Sequence, residues 1–141
     1  MKRKRLGVGF IGAGFITRFH IRSWIGVRDA DILGVVSRTE ENAQAASALA
    51  KDFRVGSPKV YPSVTDMVAD PDIDAIWICS PNYTRLEHME EIKDAIQKGK
   101  GSLIGIACEK PLGRNVREAR KIKEMVQDTG ILDGYLENQV F

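Results

Sequence analysis

What most limits the folds open to this chain is a series of short apolar runs, most of them continuous rather than alternating. They are Leu6–Ile11, Asp31–Ser37, a short Lys59–Tyr61, Ala75–Cys79, Leu103–Cys108 and Leu132–Val140. A strand with one wet face alternates apolar and polar residues, whereas a strand buried on both faces has no reason to. Longer segments with helical period separate the runs. Parallel strands joined by helical crossovers imply an α/β fold of Rossmann type: a doubly wound, mainly parallel sheet with helices on both faces.

The helical segments carry their own punctuation. Thr84 followed by Glu87 reads as a capping box opening a helix to about Lys98, with Leu86, Met89, Ile92 and Ile96 as its buried stripe. Asn115 with Glu118 opens another, whose stripe is Val116, Ala119, Ile122 and Val126. Gly99 and Gly130 supply the stops. An alanine-rich helix is expected over Glu40–Phe53 and a shorter one over Ser63–Ala69. With no internal repeat or Pro-rich linker, residues 1–141 read as one domain.

Bulk properties exclude several classes. The chain has 141 residues, a formal net charge of +2, 43% hydrophobic and 28% charged residues. That size supports a core, and that charge provides no global field for nucleic acid or a membrane surface. The basic run Lys2–Arg5 directly precedes a strand and reads as a solvated lead-in. No stretch has the length of a membrane span or the pattern of a signal peptide, so a cytoplasmic protein is expected. Cys79 and Cys108 each end an apolar run without metal or redox spacing, and read as buried small hydrophobes. No metal site is expected.

Candidate binding residues begin with the segment Gly7 to Thr17. Gly7, Gly9 and Gly12 fit G-x-G-x-x-G literally, but the first two lie inside a strand. A phosphate loop must follow the strand, where backbone N–H groups open at a helix N-terminus. The working register is therefore Gly12, Gly14 and Thr17, with Phe15 and Ile16 in the same turn. Gly12 allows the tight turn, and Gly14 keeps no side chain between backbone and pyrophosphate. Thr17 stands where Gly or Ala is usual.

About 25 residues beyond Gly12 the second strand ends in Ser37-Arg38. An acidic residue there would accept from the ribose hydroxyls of NAD. A serine and a guanidinium instead suit the 2′-phosphate of NADP, so NADP is preferred over NAD. Ser37 could equally cap the next helix in a box with Glu40, and Arg38 could stack on adenine.

Two further segments carry a family resemblance. The fourth strand runs into Ser80-Pro81-Asn82, and about 30 residues later the fifth runs into Glu109-Lys110-Pro111. With the glycine turn, this order resembles the Gfo/Idh/MocA family of glucose–fructose oxidoreductases and inositol dehydrogenases, across Leu6 to Phe141. The resemblance implies an NAD(P)-dependent oxidoreductase transferring hydride to or from a sugar, polyol or cyclitol. It implies that Lys110 lies beside the nicotinamide as the catalytic residue, with Glu109 lining the cofactor site. Ser80, Pro81 and Asn82 would contact the ribose and nicotinamide side. The chain departs from the family's Pro-Asn-x-x-His, because Arg85 stands at the histidine position. His88 and His20 read as ordinary helix-surface residues.

The family continues from a sixth strand into a C-terminal substrate domain, which is absent from this sequence. The expected partners are thus a nicotinamide dinucleotide, and a small-molecule substrate through that missing domain. Surface it would cover could drive homo-oligomers, and the chain alone is expected to be inactive. The rival reading is a non-catalytic NAD(P)-binding sensor or interaction module, which would have no need of Glu109-Lys110-Pro111. A methyltransferase using S-adenosylmethionine would want an acidic residue where Ser37-Arg38 stands.

Overall fold

A computed structural model of the chain describes residues 5–137. Six parallel strands form one sheet in the order β3-β2-β1-β4-β5-β6, with β1 Leu6–Ile11, β2 Ala30–Val36, β3 Gly56–Val60, β4 Ala75–Ile78, β5 Gly105–Glu109 and β6 Leu132–Leu136. The helices are α1 Phe15–Ser23, α2 Glu40–Asp52, α3 Val64–Ala69, α4 Arg85–Gln97 and α5 Val116–Thr129. This is the doubly wound arrangement expected from the unbroken apolar runs. The expected strand Leu103–Cys108 begins two residues later, and the extension of β6 to Val140 runs outside the described residues.

The sheet separates two cores. On one face Val8, Phe10, Ile32 and Val35 pack against Ile21 of α1, Trp24 directly after it, and Ala43, Ala46 and Ala50 of α2. The alanines let α2 sit close to the strands. On the other face Ile11, Ile76, Ile78, Ile106 and Cys108 meet Met67, Met89, Ile92, Ile122 and Val126 from α3, α4 and α5. The chain therefore crosses from one layer to the other between β1 and β4. At such a switch point the neighbouring connections diverge and leave a crevice at the carboxyl ends of the strands.

Local details depart from the sequence reading in instructive ways. Asn115 caps α5 as expected, accepting from Glu118 N at 3.0 Å. The Glu118 carboxylate does not close the box on Asn115. It accepts instead from Arg114, at the backbone N (2.8 Å) and at the guanidinium. Val116 is exposed rather than in the stripe. Thr84 makes no capping bond: Asn82–Thr84 winds into a 3-10 turn, and the Thr84 hydroxyl donates to the Pro81 carbonyl at 2.8 Å. The buried face of α4 is rotated to Arg85, Met89, Ile92 and Ala95, leaving Leu86 and Ile96 at its margin. Ser37 does not cap α2; Thr39 is the N-cap residue, and its hydroxyl accepts from Asn42 Nδ2 at 2.7 Å rather than from a backbone N–H of the helix. No helix among the described residues is long and apolar enough to cross a membrane.

Candidate cofactor-binding site

The switch-point crevice is a cavity of about 900 Å³ at the carboxyl ends of β1, β2, β4 and β5. A volume of that order lies at the upper end of the range for small-molecule and cofactor sites. β1 is tied to both neighbours at its end, through Gly12 N to Val36 O and Cys79 N to Ile11 O, each 2.8 Å. The turn Gly12-Ala13-Gly14 then crosses the cavity floor into α1.

Two glycines in that turn have different causes. Gly12 has φ +101°, and a Cβ there would lie 2.8 Å from the backbone N of Ser80. It is required both by its left-handed backbone and by the close approach of β4. Gly14 has an ordinary φ of −80°, and a Cβ on it would meet nothing within 4 Å. As N-cap residue it brings no side chain to the N–H groups of the first turn of α1, which has no acidic residue either. Those donors face the cavity mouth with the positive end of the helix dipole behind them, which suits an anion. Thr17 fills the third motif position without loosening the contact. It is fully buried, and its hydroxyl donates to the Gly12 carbonyl at 2.9 Å.

The expected binding residues converge here with one exception. Gly12, Gly14, Phe15 and Ile16 line the glycine-turn side, Ser37 and Arg38 the β2 side, and Ser80, Pro81, Glu109 and Lys110 the β4–β5 side. Asn82 is not part of the wall; it starts the 3-10 turn. Arg38 and Lys110 are exposed, whereas Ser80 and Glu109 are buried. The carboxylates of the wall are Glu87, Glu91 and Glu109, none of them beside Ser37 and Arg38.

Three side chains given no binding role in the sequence reading hold this wall together. His20 is no surface residue: its Nε2 donates to Glu109 Oε1 at 2.7 Å, while Glu109 Oε2 accepts from Lys110 N at 3.0 Å. His88 is half-buried, and its Nδ1 pairs with Ser80 Oγ at 3.0 Å. Burial lowers its pKa below the usual histidine value, against the opposing pull of Glu87. Arg85 is 4% exposed, with Nε donating to the Ser80 carbonyl at 2.9 Å and Nη1 to the carbonyls of Glu109 and Pro111. A signal for His20 existed, since it falls on the same helical face as Thr17, Ile21 and Trp24. Nothing in the sequence marked Arg85 as buried, because arginine at a helix start ordinarily points to solvent.

Both cysteines are buried, as expected, and burial pushes Cys79 up to about 12 and Cys108 up to about 11. Among the described residues no group of three or more His, Cys, Asp or Glu side chains is placed to hold a metal ion.

A glycine turn into an uncapped helix, at the switch point of a 3-2-1-4-5-6 sheet, defines a dinucleotide-binding α/β domain. Comparison with known proteins narrows that class. Residues 6–132 match the oxidoreductase family with an NAD-binding Rossmann fold, and the chain belongs to that family, Gfo/Idh/MocA. It is 33% identical over 126 residues to the 1,5-anhydro-D-fructose reductase of Ensifer adhaerens, covering 89% of this chain and 34% of that protein. It is 32% identical over 127 residues to the inositol 2-dehydrogenase/D-chiro-inositol 3-dehydrogenase of Lacticaseibacillus casei, again 89% of this chain and 34% of the relative. Among solved structures, the myo-inositol dehydrogenase from Lactobacillus casei in complex with NAD(H) and myo-inositol superposes with a TM-score of 0.71. That pair is 30% identical, over 88% of this chain and 34% of the other. The chain thus spans about a third of the length of the relatives it matches.

Proposed function

We propose that this chain is the NADP-preferring cofactor domain of an oxidoreductase that acts on a CH–OH group of a sugar, polyol or cyclitol. The observation that carries the cofactor preference is the β2 end of the cavity. Ser37 and Arg38 line it, and no carboxylate lines the cavity at that end, Glu40 and Glu41 of the first turn of α2 not being among its lining residues. The first-turn N–H groups of α1 would hold the pyrophosphate, and Gly14 would let it approach the backbone. Ser80 and Pro81 would lie along the nicotinamide ribose, with Asn82 supporting the turn. The nicotinamide supplies the hydride chemistry when bound; the protein's part is to orient it and manage the proton.

Lys110 is the group proposed to hold or deliver that proton. It is exposed at the cavity rim, directly after Glu109, which His20 fixes from below. The substrate site would be completed by residues outside the region matched here, which is about a third of each relative.

The test is calorimetric titration of the polypeptide with NADPH and NADH in parallel. Tighter binding of NADPH, falling roughly tenfold or more in Arg38→Ala while NADH is unaffected, is the expected result for a charge-assisted phosphate contact. Equal affinities with no effect of Arg38→Ala would remove the NADP preference. Binding of neither would remove the dinucleotide reading for the isolated chain.

A further inference from the structure

The β4–β5 ladder ends at the pair Ile78 and Cys108. Beyond it the two strand ends diverge into the turns that carry Ser80-Pro81 and Glu109-Lys110-Pro111, and no sheet hydrogen bond joins them. Arg85, the first residue of α4, bridges that gap. One guanidinium reaches the carbonyl of Ser80 on one turn and those of Glu109 and Pro111 on the other. Among the described residues it makes no ion pair, so its buried charge is compensated by carbonyl dipoles rather than by a carboxylate.

A guanidinium removed from water is costly, and an apolar residue of similar size would serve helix packing at less expense. What an apolar residue could not do is fix the separation of two turns through three directed bonds. The planar fork of Arg suits that task in a way the point charge of Lys does not. Arg85 also lines the cavity itself, at the β4–β5 end. The Gly12–Gly14 turn, Ser37 and Arg38 make no hydrogen bond to it.

We propose that Arg85 is a positioning residue for the nicotinamide half of the dinucleotide: by clasping the two turns it sets the width of the slot between Ser80 and Lys110. This rests on the reading above, in which a dinucleotide lies in the cavity with its nicotinamide at that end. The adenosine half, held on the far side of β1, is independent of Arg85. Losing the clasp therefore splits the two halves of the ligand energetically, whereas a general loss of structure would weaken both together.

The experiment uses the polypeptide and Arg85→Met and Arg85→Lys variants. Each is titrated with whichever of NADPH or NADH binds the unmodified chain more tightly, and with the matching adenosine-half fragment, 2′,5′-ADP or ADP. Reduced-nicotinamide fluorescence is followed throughout. The expected result is fragment affinity unchanged within about twofold in both variants. Dinucleotide affinity falls at least tenfold in Arg85→Met and by less in Arg85→Lys, and the enhancement of nicotinamide fluorescence is lost in Arg85→Met. Equal losses for fragment and dinucleotide would make Arg85 merely structural, and unchanged dinucleotide affinity would leave it no role; either overturns the proposal. Failure of both variants to fold would do the same, by making Arg85 a folding residue. If the unmodified chain binds the fragment but gains nothing from the nicotinamide half, the slot reading fails with the clasp. If it binds neither ligand, the dinucleotide reading itself is what fails.

Discussion

His88 shows how burial of one ring gives the site a pH dependence. Desolvation disfavours the charged imidazolium, so its folded pKa lies below the ordinary 6.5, with Glu87 only partly opposing. A base with a depressed folded pKa contributes its full stability above the unfolded value, and loses it as pH falls from 6.5 through the folded pKa. An NMR titration should place the His88 midpoint below 6.5. The stability of His88→Gln should depend less on pH than that of the unmodified chain between 6.5 and 5. A midpoint at or above 6.5 would show that the ring is not desolvated in the folded chain. The thiols follow the same logic with opposite sign. Burial raises Cys79 and Cys108 to about 12 and about 11. At pH 8 neither is thiolate, and a chromogenic disulfide reagent should react with native protein only as fast as it unfolds.

At the scale of elements, the glycine turn separates what the fold needs from what a ligand needs. Gly12→Ala forces a Cβ onto a left-handed backbone and against Ser80, so a loss of roughly 1–3 kcal/mol in stability is expected from strain of this kind. Gly14→Ser meets open space and adds a favoured capping residue, so the melting temperature should hold or rise while dinucleotide affinity falls. Denaturant melts paired with titrations would check both; a stability loss at Gly14 equal to that at Gly12 would refute the distinction. The same turn shows what sequence could reveal. Its register followed from one rule, that phosphate loops come after strands, and the continuous apolar runs dictated the parallel sheet. What stayed hidden depended on partners distant in sequence. His20 meets Glu109 across 89 positions, and Arg85 finds its acceptors 24 and 26 residues away. The N-cap at Asn115 was legible, but its box was not, because Arg114 takes the Glu118 carboxylate. Capping failed at Thr84, whose hydroxyl bonds the Pro81 carbonyl of the preceding turn.

For the molecule as a whole, the cavity draws its walls from both layers. Gly14, Phe15 and Ile16 belong to the α1–α2 side, and Val64 and His88 to the α3–α5 side. A ligand touching both layers binds only the fully folded sheet, so its binding free energy adds to the stability of the entire unit. At a hundredfold excess over Kd that addition is about 2.7 kcal/mol, which for a chain of this size corresponds to a rise of roughly 10 °C in Tm. Trp24 and Trp77, in edge contact at 5.3 Å on the α1 face, report one layer by fluorescence, while far-ultraviolet circular dichroism reports all helices. Saturating dinucleotide should move both signals upward together in a single transition. A shift in tryptophan fluorescence without a matching shift in dichroism would mean that the layers melt separately and that the ligand is held by only one of them.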